Sequence, residues 1–344
     1  MRNVVSMLVA AVALAANADP LPDLPVAFSN NAMAVASVDG APVAYSFAGI
    51  GGDLEHGDIH AQVYRYQDGE RAWQRVADVP GGVGRLAASA VTVGNDIYFF
   101  GGYQVFDDGS EVSLPDVYRV DPATGRFERR ADMPVPVDDA VALVYEDRYI
   151  YLVSGWHDLG NVNLVQRYDT SADTWTQATP WPGPPVFGHV GAISAGTLVV
   201  CDGVRIDNAT QPRRFVMSDV CYLGEIDTDD ARRIHWREIP PHPGAACYRA
   251  TAVADSNGGR LLFAGGGDNP YNYNGVGYNG IPAKPCRHRY SFLLNERRWL
   301  RERDDERATM DHRALLRWND VLWLVGGLEG AGAPTAAARQ LPAW

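Results

Sequence analysis

The sequence predicts an all-β protein in which six four-stranded antiparallel sheets surround a central channel. Three observations predict it. First, an aliphatic run ends six times at a small or acidic residue followed by glycine: Ala48-Gly49, Gly101-Gly102, Ser154-Gly155, Asp202-Gly203, Gly265-Gly266 and Gly326-Gly327. The second glycines fall 53, 53, 48, 63 and 61 residues apart, a period typical of radial repeats. Second, two short β-rich runs joined by a tight turn precede each pair, as in Ala87–Val93, Gly94-Asn95-Asp96 and Ile97–Phe100, or Ala314–Arg317, Trp318-Asn319-Asp320 and Val321–Val325. Runs of this kind around Gly-Asn or Asn-Asp tips form hairpins. Third, a loop of variable length after each pair leads to an aromatic-bearing third strand, such as Val63-Tyr64-Arg65-Tyr66 or Val165-Gln166-Arg167-Tyr168. A fourth strand then opens with a large ring at Trp73, Phe127, Trp175, Trp236 or Trp299. Six such units make a six-bladed β-propeller.

Glycine pairs at this period are the mark of a kelch-type propeller. The backbone bends sharply there, and a Cβ would collide with the neighbouring strand. Pro80, Pro134 and Pro182 each follow the fourth-strand ring by seven residues in three of the units. The sixth unit has only Leu328–Trp344 after its pair, enough for a loop and about one strand. The segment Leu21-Pro22-Asp23-Leu24-Pro25 reads like the tail of a fourth strand, as in Ala77-Asp78-Val79-Pro80. It is therefore expected to complete the last blade beside Trp344 and leave no free sheet edge.

All-β rings run long as one unit, so 344 residues with 46% hydrophobic content suit a single propeller over residues 19–344. A net charge of −12 argues against nucleic acid or an anionic membrane surface as partner. Residues 1–18 read as a signal peptide: Arg2, an apolar Val4–Ala16, and a small-x-small site at Ala16-Asn17-Ala18. That apolar stretch is too short to span a bilayer. A periplasmic or secreted location with no membrane insertion follows as an expectation. In an oxidising compartment the four cysteines matter. Cys201 with Cys221, and Cys247 with Cys286, share a blade and could approach. Three pairings are open, and so are free thiols.

In a propeller, the residues just before each inner strand and the loops after each glycine pair gather at one end of the channel. The first set holds Asn30, Asn31, Arg85, Asp138, Asp139, His189, Arg249, His312 and Arg313. The second holds Tyr103, Trp156, His157, Arg205, Asp268 and Glu329. Single members can serve structure by bonding neighbouring blades or capping loop amides. As a set they outline a ligand site, because aliphatics would pack better there. The loop Gly267–Gly280, with Tyr271, Tyr273 and Tyr278 among asparagines and glycines, suits a polyhydroxylated ligand, with rings on sugar faces and amides on hydroxyls.

No Cys-x-x-Cys, His-Glu-x-x-His or Gly-x-Ser-x-Gly motif occurs, so neither zinc, other metal nor cofactor is expected. Gly49-Ile50-Gly51-Gly52 lacks the strand-to-helix setting of a phosphate loop. His242 and His288 have no evident partner.

Several stretches resemble the bacterial N-acetylneuraminate epimerases. They are Leu24-Pro25-Val26-Ala27-Phe28-Ser29, Pro80-Gly81-Gly82, Leu261–Gly266 with the Tyr/Asn loop that follows, and Arg317-Trp318-Asn319-Asp320 leading to Gly326-Gly327. The resemblance spans nearly the whole chain after the leader. It implies a secreted or periplasmic six-bladed kelch propeller that interconverts sialic acid anomers. One departure is plain: Val204 stands where the family's proton-accepting glutamate would be, and the family's loop arginine corresponds to Arg213 or Arg214. Copper-radical oxidases also use kelch blades, but their cross-linked Cys/Tyr and paired-His set is not reproduced by Cys221-Tyr222.

The enzymatic expectation is mutarotation of an acidic sugar. His189 and His312 would serve as acid and base, with Asp139 or Glu329 orienting or replacing one. Arg85, Arg249 and Arg313 would clamp a carboxylate, with Asn31, Trp156, His157, Arg205, Asp268 and Tyr273 completing the binding surface. The competing expectation is a non-catalytic module that binds a glycan or a protein tail. A homodimer is compatible with either.

Overall fold

The second strand of each blade explains why the chain folds as a ring. In the computed structural model, which describes residues 20–209 and 211–344, these strands include Asp96–Phe100, Tyr149–Val153, Thr197–Cys201, Arg260–Ala264 and Val321–Val325. Each is half-buried at its first residue and fully buried thereafter. Neighbouring sheets cover both of its faces, so it reads as an unbroken aliphatic and aromatic run. The fourth strands lie outermost, and Gln74–Asp78 exposes four of its five residues.

Six antiparallel sheets result, the chain stepping outward through each blade, with no α-helix among the described residues. The inner strands Ala32–Val38, Ser89–Val93, Val141–Tyr145, Val190–Ser194, Thr251–Ala254 and Leu316–Trp318 line the channel. Among the described residues no helix is long and apolar enough to cross a membrane. The expected leader, residues 1–18, lies outside the described residues.

The glycine pairs behave as the sequence requires. The residue after each pair bridges to the residue that opens the same blade: Ser29 to Ile50, Leu86 to Tyr103, Asp138 to Trp156, Phe187 to Val204, Tyr248 to Gly267 and Met310 to Leu328. The second glycine reaches this bridge at positive φ, 81° at Gly102 and 94° at Gly327. A Cβ there would lie 2.4 Å from the Leu86 carbonyl oxygen or 2.6 Å from that of Met310. No side chain fits. At the hairpin tip of the sixth blade, Asn319 and Asp320 both take positive φ, 49° and 63°, as a type I′ turn demands.

Ring closure follows the expectation, with two differences. Leu24 N–H donates to Ala336 O (2.8 Å) and Phe28 N–H to Thr335 O (3.3 Å), while Ala338 N–H donates to the Asp23 carboxylate (2.8 Å). The Trp73 indole donates to Pro22 O at 2.8 Å. Trp175 reaches Ala131 O, Trp236 reaches Thr179 O and Trp299 reaches Pro240 O in the same way. Pro22 thus occupies the place that a fourth-strand end occupies in other blades. The sixth sheet still has three regular strands rather than four, because Pro20, Pro22 and Pro25 have no N–H to extend a ladder. Trp344 is not beside the N-terminal segment. It packs with the Val253 and Leu262 cluster under the Arg289 guanidinium, 4.7 Å from its ring centroid.

Both expected disulfides are present. Cys201 and Cys221 are direct cross-strand partners with Cα atoms 4.2 Å apart. Cys247–Cys286 ties the start of the fifth blade to the end of its long loop.

Leu24 is 4% exposed and packs with Leu21, Trp318 and Trp323. Leu24→Ala is expected to lower stability by about 2–5 kcal/mol, read as a drop in the thermal midpoint. An unchanged midpoint would mean that the N-terminal segment does not hold the ring shut.

Candidate functional site

At the channel mouth, the residue after each bridge adopts left-handed backbone in all six blades: Asn30 (58°), Ala87 (54°), Asp139 (51°), Gly188 (58°), Arg249 (56°) and Asp311 (65°). Five of these are not glycine, and such conformations cost of order 1–3 kcal/mol each. Main-chain bonds around the channel hold them. Asn30 N–H donates to Asp311 O (3.2 Å), Asp139 N–H to Ala87 O (3.1 Å), Gly188 N–H to Asp139 O (2.9 Å) and Arg249 N–H to Gly188 O (2.7 Å). The Asn30 side-chain oxygen accepts the Ala87 N–H.

Side chains of this ring meet across the channel. Arg249, from the fifth blade, pairs with Asp139 of the third (2.7 Å) and Asp311 of the sixth (2.8 Å). Arg313 pairs with Asp139 as well. Tyr248 Oη donates to Asp139 (3.0 Å), and Asn30 Nδ2 donates to Asp311 (2.9 Å). Burial would raise the Asp139 carboxyl, but Arg249 and Arg313 override it and hold it below the usual range. The result is a charge-balanced cross-brace in the throat.

Above the brace lies a cavity of about 150 Å³. The loops after the glycine pairs of blades two, three and four form small hairpins there: Tyr103–Val105 with Glu111–Ser113, Trp156–His157 with Gly160–Asn161, and Val204–Asp207 with Arg214–Met217. The aromatic wall is Tyr103, Trp156, Phe187, Phe215 and Tyr278. Trp156 meets Phe187 edge-on at 5.4 Å, and Phe215 meets Tyr278 at 4.4 Å. Arg213 lies over Trp156 (5.4 Å) and Phe215 (5.8 Å) and donates to Leu159 O (3.0 Å). Among the described residues it pairs with no carboxylate.

Asp138, adjacent in sequence to Asp139, has the opposite character. It is 4% exposed and accepts a 2.6 Å bond from Ser113 Oγ. Burial, reinforced by the neighbouring charges of Asp139 and Glu111, pushes its carboxyl well above the usual range.

Of the residues nominated from sequence, Tyr103, Asp138, Asp139, Trp156, Arg213 and Arg249 line this cavity. The others do not. His189 and His312 line a separate space of about 160 Å³ lower in the channel, between the inner strands. Burial pushes His189 down to about 4 and His312 down to about 3, so both are neutral. His312 Nε2 meets Thr309 Oγ1 at 2.7 Å. Neither histidine lines the upper cavity, so the acid and base roles expected of them find no support there. Arg85 is buried against Asp116 (2.8 Å) and Gly101 O (3.1 Å). Arg313 is spent on Asp139, so neither of these arginines is free to clamp a ligand. Asn31 bonds Ser46 Oγ (2.8 Å), and His157 Nδ1 meets Pro136 O (2.8 Å). Asp268 caps Lys284 N–H (2.8 Å), and Tyr273 packs into the cluster beneath the loops. Arg205 and Glu329 are solvent-exposed away from the cavity. His242 does have a partner: its Nε2 lies 2.9 Å from both Asp202 oxygens. Val204 is fully buried against Phe187.

Sequence reasoning passed over Glu111, Phe187, Phe215, Asn272 and Tyr278 as site residues. The last two sit in the Tyr/Asn loop that was singled out whole. The alternation Glu111-Val112-Ser113 was the available signal for Glu111.

Comparison with known proteins agrees with this architecture. The chain carries a kelch motif. It spans residues 84–134, which contain most of the second blade. Zebrafish (Danio rerio) kelch-like protein 15 is 33% identical over 113 residues, covering 33% of this chain and 18% of that protein. Human kelch repeat and BTB domain-containing protein 13 is 27% identical over 133 residues, covering 38% of this chain and 28% of that protein. The matched part thus spans less than a third of these relatives. A solved structure titled "Structure of YjhT" superposes with a TM-score of 0.72 at 16% identity, covering 93% of this chain and 96% of that one. It shares the six-bladed fold.

Two outcomes are expected. Arg249→Met strands Asp139 and Asp311 without their shared partner, and loss of one member of a buried pair costs about 3–5 kcal/mol. Denaturant titration would show it, and a loss within error would mean that the brace carries no stability. For pH, an unfolded histidine takes up its proton near 6.5, whereas folded His189 does so only near 4 and His312 near 3. Between those values the unfolded chain binds more protons, so stability is full above about pH 6.5 and falls as pH drops toward 4. His189→Gln and His312→Gln should flatten that slope in urea midpoints measured from pH 7 to 4. An unaltered slope would show that other groups set it.

Proposed function

We propose that this protein acts on a monosaccharide, interconverting the anomers of an acidic sugar in the upper cavity. One observation carries the reading: a ring-sized, aromatic-walled cavity combines a buried carboxyl whose proton affinity is raised, Asp138, with a guanidinium, Arg213, that has no acid partner among the described residues. A cavity of about 150 Å³ admits one six-membered ring. Aromatic faces suit the apolar face of a sugar. Arg213 can meet an anionic substituent, and a protonated carboxyl can assist departure of a ring oxygen. The resemblance to the N-acetylneuraminate epimerases supports the choice of an acidic sugar, and the two disulfides support a periplasmic or secreted setting.

A second reading, a module that holds a glycan or protein tail without turnover, is favoured by apolar tips around the mouth. Leu159 is 86% exposed and Ile281 61%.

Saturation-exchange proton NMR on N-acetylneuraminate separates the two. Accelerated anomer exchange is expected, and Arg213→Met should raise KM about 10-fold or more, since a hydrogen bond to a charged group is worth about 1.5–3 kcal/mol. Line broadening without acceleration would leave the binding module.

A further inference from the structure

The geometry points to a division of labour between two carboxyl groups of the upper cavity: we infer that Asp138 donates a proton to the sugar ring oxygen while Glu111 accepts one from the anomeric hydroxyl. The inference rests on the anomer-exchange reading and assigns its catalytic residues.

The second-blade hairpin pairs Tyr103 with Ser113 and Val105 with Glu111. Residues two apart on a strand share a face and stand about 7 Å apart. Ser113 and Glu111 thus face the channel together, whereas Val112 between them turns out and is 41% exposed. Ser113 Oγ reaches Asp138, and Glu111 lines the cavity beside it.

The hydrogen bonds also orient the Asp138 carboxyl. Asp158 N–H donates to Ser113 Oγ (3.3 Å), and Ser113 in turn donates to Asp138 Oδ2 (2.6 Å). Ser113 thus fixes the orientation of the Asp138 carboxyl through Oδ2. Asp138 is buried and its carboxyl is pushed well above the usual range, whereas Glu111 is exposed at the mouth, where partial desolvation raises its carboxyl and Arg249 opposes the rise. Two carboxyls in unlike surroundings differ in proton affinity, as acid–base pairs require. Asp139 is unsuited to either task, since both of its oxygens are held by arginine.

The step balances. Glu111 takes the anomeric hydroxyl proton, the carbonyl double bond forms as the bond from the anomeric carbon to the ring oxygen breaks, and Asp138 protonates that oxygen. Reversal on the other carbonyl face gives the opposite anomer and restores both groups.

The test is anomer-exchange NMR on N-acetylneuraminate with wild type, Glu111→Gln and Asp138→Asn, with sugar line broadening as an independent measure of binding. Each variant should bind sugar yet lose about 10²-fold or more in exchange rate. The wild-type rate should be bell-shaped in pH, losing its acid limb in Glu111→Gln and its alkaline limb in Asp138→Asn. Wild-type acceleration that both variants keep within about twofold, well short of the usual effect, overturns this assignment and leaves the reaction standing. Failure of wild type to accelerate exchange overturns the reaction itself.

Discussion

A single guanidinium, Arg249, joins opposite sides of the ring, and the candidate site depends on where it sits. It pairs with Asp139 and Asp311, contributed by blades three and six. Three ionised groups this deeply buried would be prohibitive if any were left unpaired. Together with Arg313 they balance, and the main-chain ring of left-handed residues holds them in register. The brace forms a floor: ligand-sized space lies above it, and the neutral histidines lie below.

That floor also shapes the electrostatics above it. The Asp139 charge is compensated by arginine but still disfavours ionisation of Asp138 next to it. Two consecutive carboxyls are therefore pushed in opposite directions, one facing the brace and the other facing Ser113. The aromatic wall and Arg213 then supply surfaces for the two chemical halves of an acidic sugar, its ring and its anionic group.

Much of the fold was legible in the chain because its constraints are local. A second strand covered on both faces must be continuously apolar, and Gly102, where a Cβ would lie 2.4 Å from the Leu86 carbonyl oxygen, admits only glycine. Disulfide partners could be narrowed because cysteines on adjacent strands of one blade are near neighbours. The fourth strand of the last blade was over-regularised, since its prolines cap the edge without a ladder. The site was legible only as a neighbourhood. His189 and His312 stand one residue beyond the left-handed position, and that single step turns them from the upper cavity into the lower channel. Asn31 follows the same rule and bonds Ser46 inside its own blade.

The sequence by itself determined six units, their strand order, the N-terminal closure and a polar channel mouth, because each follows from patterns a few residues long. Only the tertiary structure decided which polar residues are ionised, which are neutral and which are free for a ligand. Asp139 meets Arg249 across 110 residues of chain, and Asn30 meets Asp311 across 281. Charge state is set by burial and by partners, and both are created only when the ring closes.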